Sequence, residues 1–403
     1  VDLQLTDDQR LFEETTARFL EASCPVATVR EWADKEPAGF PLDWWRRGSE
    51  LGWTSLLVPE EDGGGSISGH GLLDLVLVAE AMGRRVSPGP LVPANLVAAA
   101  LARSGTADQR RSVLPGIVSG ETVASWCLAE PGTPWPGVAT VAVAGADGFV
   151  LDGVKGPVEA GAESDWLLVA AAVDGAPTHF LVDPHAPGVT VTPAESLDLV
   201  RRFALVSFDR VALPPSAVVG EVGGAGAEIE RLIQVAVVLQ CAEMAGAVDR
   251  MLAATLEYAF DRYSFGRPLA SYQALKHRFA DLKLWVEACL ATAQAAAAAV
   301  DRGSDRAAEL VSVAKSYIGD HAPLVLSDCV QLHGGIGVTW DHDLHLYTRR
   351  VVQDTMLHGT PADHRARIAA GLGLDDQPDP GARSEPGNQA DQHAREREGA
   401  TGG

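Results

Sequence analysis

Three stretches of the chain carry three different rhythms of apolar and polar residues. In the first, residues 1–120, the pattern is helical. Leu11, Phe12, Thr15, Phe19 and Leu20 recur at the spacing of one helix face. Thr6 opens that helix as an N-cap, with Gln9 three residues on as its capping-box partner. A further helix is expected over about 70–83, and the Pro/Gly break SPGPLVP precedes another at about 93–103. The second stretch, 121–223, reads as short β-rich runs: VASWCLA, ATVAVAG, GFVLDGV, DWLLVAAA, THFLVD, GVTVTP and FALVSFDRV, separated by Gly, Pro and Asp. Regular spacing of such runs predicts a small barrel or sandwich. The third, 224–372, returns to long helices over 226–262, 270–301, 306–333 and 341–372, with the apolar stripes of a four-helix bundle. From about 375 onward, in a tail taken as 373–403, large apolar residues almost vanish and disorder is expected. The predicted class is therefore α+β: an N-terminal α-helical domain, a middle β-barrel domain and a C-terminal four-helix bundle.

Composition narrows the function. Apolar residues make up 46% of the 403, enough for a sizeable core. With 32 Lys+Arg against 54 Asp+Glu the formal charge is −22, which repels phosphate backbones and excludes nucleic acid as a partner class. Cys24, Cys127, Cys241, Cys289 and Cys329 are scattered without a C-x-x-C. That argues against a disulfide framework or a zinc site and fits a reducing cytoplasm. The acidic opening VDLQLTDDQRLF lacks the apolar core of a signal peptide. The Ala-rich stretch 290–300, bounded by Glu287 and Asp301, is too short to span a bilayer. His333, His342 and His345 surround a Gly-rich turn and an acidic helix start, where structural or solvated roles are expected and no metal.

The sharpest local signal is Arg262-Tyr-Ser-Phe-Gly-Arg-Pro-Leu-x-x-x-Gln273. An Arg at a helix end, a Phe-Gly turn and a new helix after Pro268 make a corner suited to an anion. Arg262 can fork onto a pyrophosphate while N–H groups at the next helix start assist. An ordinary helical corner with a solvated Arg would read the same way. Gln331-Leu-His-Gly-Gly-Ile-Gly337 follows another helix, and its glycines let backbone approach a ligand closely. A glycine C-cap explains one of the three. Arg349 then precedes His358-Gly-Thr360 by one helix.

In this order the three motifs resemble those of the acyl-CoA dehydrogenase family, over about residues 1–372. The loop VPEEDGGG and the segment LDGVK before DWLLVAA add to the resemblance. It implies a flavoenzyme that desaturates acyl-CoA thioesters between the carbons α and β to the carbonyl. A carboxylate takes the α proton, the β hydrogen leaves as hydride to FAD, and an electron-transfer flavoprotein is the usual oxidant. It further implies a cytoplasmic tetramer with each FAD lying across a subunit boundary. The neighbour's R-x-x-F-G…Q corner and Q-x-x-G-G loop hold the adenosine diphosphate part. Arg262, Ser264, Phe265, Gln273, Gln331, Gly334 and Gly335 make up that set here, and Thr360 is the remaining cofactor contact.

The other half departs from the family's pattern. His358 stands where the family's catalytic Glu precedes Gly-Thr. The alternative position on the bundle's first helix falls near Ala236; Glu230 and Glu243 lie about two turns away, roughly 10 Å along a helix. Ala129-Glu130-Pro131 replaces Thr-Glu-Pro, and the Gly-Ser-Asp that follows is lost. Gly156-Pro157-Val158-Glu159 replaces the aromatic-Ile-Thr/Ser segment near flavin N5. Glu159 is expected to face solvent, and Arg201-Arg202 to sit on a hairpin rim. Trp44, Trp45 and Trp53 are expected to pack the N-terminal helices.

The lopsided survival implies the base-lacking subunit of a heteromeric α2β2 dehydrogenase, an arrangement the family shows in actinobacterial steroid side-chain degradation. Two alternatives stand: a homomeric enzyme using His358 as base, or a catalytically silent paralogue. The Ala/Gly/Arg/Val-rich composition suggests an actinobacterial source.

Overall fold

The computed structural model describes residues 5–373; the tail expected to be disordered lies, but for its first residue, outside the described residues. The chain begins with α1 (Asp7–Ser23), α2 (Val26–Lys35), α3 (Leu42–Glu50), α4 (Gly71–Arg85), α5 (Leu91–Ser104), α6 (Ala107–Ser112) and α7 (Leu114–Val118). Helix α1 starts where its capping box dictates. The Gln9 N–H donates to Thr6 Oγ1 at 3.2 Å and the Thr6 N–H donates to Gln9 Oε1 at 3.1 Å. Helix α5 begins two residues before the expected start. Pro93 then falls in its first turn, where an N–H has no intrahelical partner and none is missed. Trp44, Trp45 and Trp53 are buried and meet Phe19 and Phe40 in edge and tilted contacts, as expected.

The middle of the chain forms β1 (Ala124–Cys127), β2 (Val141–Gly145), β3 (Gly148–Glu159), β4 (Trp166–Val173), β5 (Ala176–Val182), β6 (Val189–Ala194), β7 (Phe203–Leu213) and β8 (Val218–Val219). They make one mixed sheet in the order β6-β7-β3-β2-β4-β5-β8, with β1 parallel to β4 off that path. Among the described residues no pairing joins β6 to β8, so the sheet stays open between its ends. Strand alternation sends the two faces to different cores. Cys127, Leu167, Val169, Phe180 and Phe208 fill a core of the sheet's own. Trp126, Leu168, Ala170 and Leu181 face the helical core. Strand β4, buried on both faces, is accordingly a near-continuous apolar run.

The C-terminal helices are α8 (Gly226–Asp261), α9 (Gln273–Asp301), α10 (Ala307–His333), α11 (Leu344–Met356) and α12 (Pro361–Gly371). A tight hairpin of β9 (Tyr263–Ser264) and β10 (Arg267–Pro268) separates α8 from α9. Helix α8 is long and apolar enough to cross a membrane, but 89% of its most apolar window is buried within the fold. It is apolar all round because α4, α9, α10, α11 and α5 surround it. Helices α4 and α8 meet at backbone distance. A Cβ on Gly83 would stand 2.1 Å from the Glu243 carbonyl oxygen, and one on Gly246 2.1 Å from that of Glu80. The single helix expected over 341–372 is two. His358 (φ 54°) and Gly359 (φ 90°) turn left-handed, and Thr360 caps a new helix with Pro361 at its first position.

Candidate functional site

Where α5, the sheet and the α11–α12 turn converge, the fold leaves a half-open cavity of about 260 Å³. Val92 and Leu96 line it from α5, Trp126 and Leu128 from β1 and its exit, Pro157 and Glu159 from the end of β3. Phe203 opens β7, and Trp135, Leu357, His358 and Gly359 complete the wall. The surface is mainly apolar and aromatic.

The α11–α12 turn presents His358 to this cavity. Gly359 is required beside it, since a Cβ there would come within 2.9 Å of both Trp135 and the His364 ring. His364 holds the turn from beneath, with Nε2 3.0 Å from the His358 carbonyl oxygen and Nδ1 3.2 Å from Ser312 Oγ. The His358 ring stacks on Trp126, with centroids 6.1 Å apart and planes 14° apart. Burial, then the charges of Lys315 and Arg201, push its pKa down to about 3, so the imidazole is neutral and a weak base near pH 7. Lys315, fully buried, sends its ammonium to the carbonyl oxygens of Asp354 and Leu357 and to Gln240 Oε1. It thereby closes the C-terminal end of α11.

Two expectations are overturned here. Glu159 does not face solvent: it ends β3 on the cavity wall, and burial raises its pKa. Arg201 is no rim residue but is buried. It donates to Asp354 Oδ1 at 2.8 Å and to Glu243, and its Nε lies 3.5 Å from Glu159 Oε1. Arg350, fully buried on α11, ties Glu243 to Asp198. Arg202 turns to the carbonyl oxygens of Ala33, Pro37 and Leu199. Glu243, two turns from the expected base position on α8, is therefore spoken for. Glu230 pairs with Arg367, and Ala236 is fully buried. The hydrophobic run around β7 hid this network: nothing in a lone Arg-Arg pair signals three distant carboxylates.

Glu130 is likewise committed. Its carboxylate accepts from the buried Lys155 ammonium at 2.5 Å, from the N–H groups of Ala139 and Thr140 at 2.7 and 2.9 Å, and from Thr133 Oγ1 at 3.2 Å. It clasps the 130–140 loop to β3. Thr360, expected as a cofactor contact, caps α12: its hydroxyl donates to Asp363 Oδ2 at 2.7 Å and accepts from the Asp363 N–H at 3.2 Å.

The exposed end of the bundle has the opposite character. The β9–β10 hairpin brings Leu269 N–H back to the Arg262 carbonyl oxygen at 2.8 Å, and the Tyr272 hydroxyl donates to the Ser264 carbonyl oxygen at 2.8 Å. This corner holds Phe265 97% exposed with φ 49°, a conformation that L side chains rarely adopt. Arg262, Gln273 and Gln331 are exposed. Among the described residues, the Arg262 guanidinium makes no hydrogen bond or ion pair. Gly334 (φ 65°) and Gly335 have open space where a Cβ would stand. Tyr258 bridges the two motifs: its hydroxyl donates to the His333 carbonyl oxygen at 3.3 Å. His333 stacks on Tyr258 and His345 on Trp340, and both serve packing. So the structure brings Arg262, Ser264, Phe265, Gln273, Gln331, Gly334 and Gly335 to one end of the bundle, and places His358 and Thr360 apart, at the cavity.

Residues 6–121 match the acyl-CoA dehydrogenase N-terminal domain and residues 224–373 the acyl-CoA dehydrogenase C-terminal domain. The chain is similar to acyl-CoA dehydrogenase IpdE2 of Mycolicibacterium smegmatis, 27% identical over 91% of this chain and 99% of the relative. Among solved structures it resembles the ChsE4-ChsE5 complex from Mycobacterium tuberculosis, with a TM-score of 0.83 and 27% identity over 94% of this chain and 100% of that chain. It also shares the fold of butyryl-CoA dehydrogenase from Megasphaera elsdenii, with a TM-score of 0.84 and 24% identity over 92% and 100%.

Proposed function

The chain belongs to the acyl-CoA dehydrogenase family, and we propose that it is the base-lacking subunit of a heteromeric, FAD-dependent enzyme that desaturates an acyl-CoA thioester between its α and β carbons. When bound, FAD accepts the β hydrogen together with its electron pair. The residues that would hold it from this chain are those of the exposed arm. Arg262 neutralises pyrophosphate charge, the N–H groups at the start of α9 add donors, Phe265 supplies an apolar face, and Gly334 and Gly335 let backbone approach. Their exposure and lack of competing partners fit a cofactor held largely by another subunit.

The chain's own cavity does not fit a flavin ring. Pro157 has no N–H to offer its edge. The Thr360 hydroxyl is spent on Asp363, and the Glu159 carboxyl stands where the family carries a neutral hydroxyl. The carboxylate that removes the α proton then comes from a related partner subunit, whose cavity holds ring and thioester. An electron-transfer flavoprotein serves as oxidant. His358 stays outside this chemistry because its imidazole is held neutral with little affinity for a proton.

The observation that carries this reading is the contrast between an exposed, unengaged arm and a cavity with no carboxylate at position 358 or 236, where the Thr360 hydroxyl is spent on Asp363. Co-expression with a related acyl-CoA dehydrogenase chain, followed by counting FAD against protomers, tests it. One FAD for each pair of unlike chains is expected, with little flavin on this chain alone. A homotetramer of this chain bearing FAD on every subunit would refute it.

A further inference from the structure

A second cavity, of about 500 Å³, lies between the α3–α4 loop, the last turn of α5, the first turns of α8 and the end of α9. We propose that it binds a small organic monocarboxylate, with the carboxylate on the Arg231 guanidinium and the hydrocarbon body on the apolar wall. Helix α5 holds this place apart from the cavity at the α11–α12 turn: Val92 and Leu96 line that one, Ala99 and Arg103 this one. The site is thus separate from the chemistry proposed above.

Arg231 is the unmatched group. It is half-buried on the second turn of α8 and lines the cavity. Among the described residues its guanidinium makes no hydrogen bond or ion pair. An arginine keeps its charge, and burial followed by the charge of Arg103 lowers the Arg231 pKa, as for a cation short of counter-charge. The nearby acids are already engaged. Asp301 accepts the Leu72 and Leu73 N–H groups at the start of α4, at 3.2 and 2.9 Å. Glu228 Oε2 lies 3.3 Å from Arg103 Nε, and its Oε1 is buried without a donor. Glu60 stands exposed on the rim. A guanidinium forks onto a carboxylate through two parallel N–H bonds, so a carboxylate entering from solvent supplies what Arg231 lacks. Ser66 lines the same cavity, and its hydroxyl, without a hydrogen-bond partner among the described residues, adds a donor.

One negative charge suits these surroundings and two do not. Arg103 is paired, so the second charge of a phosphate would find no second free cation and would face Asp301, Glu228 and Glu60. The formal −22 of the chain opposes any anion from a distance, but salt screens that field beyond roughly 8 Å at physiological ionic strength. Leu56, Val58, Ala99, Val235 and Val300 supply the apolar wall, which favours a hydrocarbon body. An apolar cavity of roughly 150 Å³ holds a benzene ring, so one six-membered ring with its carboxylate enters with room for water. The mouth is preformed, because the α3–α4 loop is seated at backbone distance. A Cβ on Gly64 would stand 2.3 Å from the Val58 carbonyl oxygen, and one on Gly71 2.1 Å from that of Leu56.

Isothermal titration of the full-length chain at pH 7 with three probes of one shape tests this: cyclohexanecarboxylate, cyclohexanecarboxamide and cyclohexylmethylamine. The carboxylate should bind saturably at millimolar concentration, once per protomer, and the amide and amine at least about tenfold more weakly. Arg231→Met should weaken carboxylate binding about tenfold or more. Arg231→Lys, which keeps the charge and loses the fork, should stay within about fivefold of wild type. Ser66→Trp, which fills the mouth from the loop, should abolish binding with Arg231 intact. Near-ultraviolet circular dichroism and the melting temperature confirm that each variant is folded. Three results would overturn the site: no saturable carboxylate binding by folded wild type, equal or tighter binding of the amide or amine, or wild-type binding by a folded Arg231→Met or Ser66→Trp. None of them alters the FAD count that tests the proposed function.

Discussion

Lys155 and Glu130 show how much a single buried pair decides. Burial alone would raise the Glu130 pKa, but the Lys155 hydrogen bond, the Thr140 N–H, the lysine's charge and the Ala139 N–H outweigh it and hold the carboxyl below its usual range. A carboxylate depressed in the folded state stabilises it fully above the unfolded pKa of about 4.3, and that contribution is lost as pH falls through the folded value. Lys155→Met should therefore cost about 1.5–3 kcal/mol at pH 7, the worth of a hydrogen bond to a charged group, because Glu130 keeps the Ala139 and Thr140 N–H donors, and the difference from wild type should shrink in urea melts taken below pH 4. His358 makes the contrasting case. With its pKa pushed down to about 3, it should leave no titration between pH 5 and 8 in the pH profile of kcat/KM, and His358→Ala should leave the turnover of the co-expressed assembly within about twofold, since neutral packing rather than proton transfer is lost. At this scale the sequence was a partial guide. The capping box at Thr6 and the vacancy at Ala236 were legible because both are local spacings. Glu159 and Arg201 were misplaced because their surroundings are assembled from α8, α10 and α11, more than forty residues away.

Among elements, the periodicity of long helices survived contact with tertiary structure, and of the breaks between the C-terminal helices only the one inside 341–372 was missed. Residues 341–372 read as one helix because only His358-Gly-Thr-Pro interrupts them, and four residues hardly disturb an apolar stripe. Yet that interruption sets the cavity wall. Strand β8, two residues long, carries no period at all, and the β9–β10 hairpin hides in a motif read as a turn. The close crossing of α4 and α8 was also invisible, since a glycine inside a helical pattern does not say what approaches it. Gly83→Ala should cost several kcal/mol, about 2–4, because the new methyl meets backbone rather than a movable side chain; chemical denaturation measures it. Phe265→Gly should do the reverse at the exposed arm. It removes a left-handed strain of about 1 kcal/mol or more, so the melting temperature should hold or rise while FAD retention by the assembly falls.

Across the whole molecule, the Arg350 guanidinium joins the three rhythms of the sequence. It reaches the Ser87 carbonyl oxygen beside α4, Asp198 ahead of β7 and Glu243 on α8. Arg350→Met should destabilise the fold by about 3–5 kcal/mol, since buried carboxylates lose their partner, and should split a shared melting transition if that junction makes the regions unfold together. The order helices, sheet, helices was legible from hydrophobic pattern alone, as was the survival of one motif set and the erosion of another. What no pattern could report is that the surviving set is exposed and unengaged while the Thr360 hydroxyl, at the cavity, is bonded to Asp363. That contrast makes Arg262 the decisive residue. In the co-expressed assembly, Arg262→Ala in this chain should leave the fold intact and strip FAD from the complex, while replacing the matching residue of the related partner should leave the FAD content unchanged. Full FAD retention by the Arg262→Ala assembly, or loss only when the partner is altered, would contradict the account.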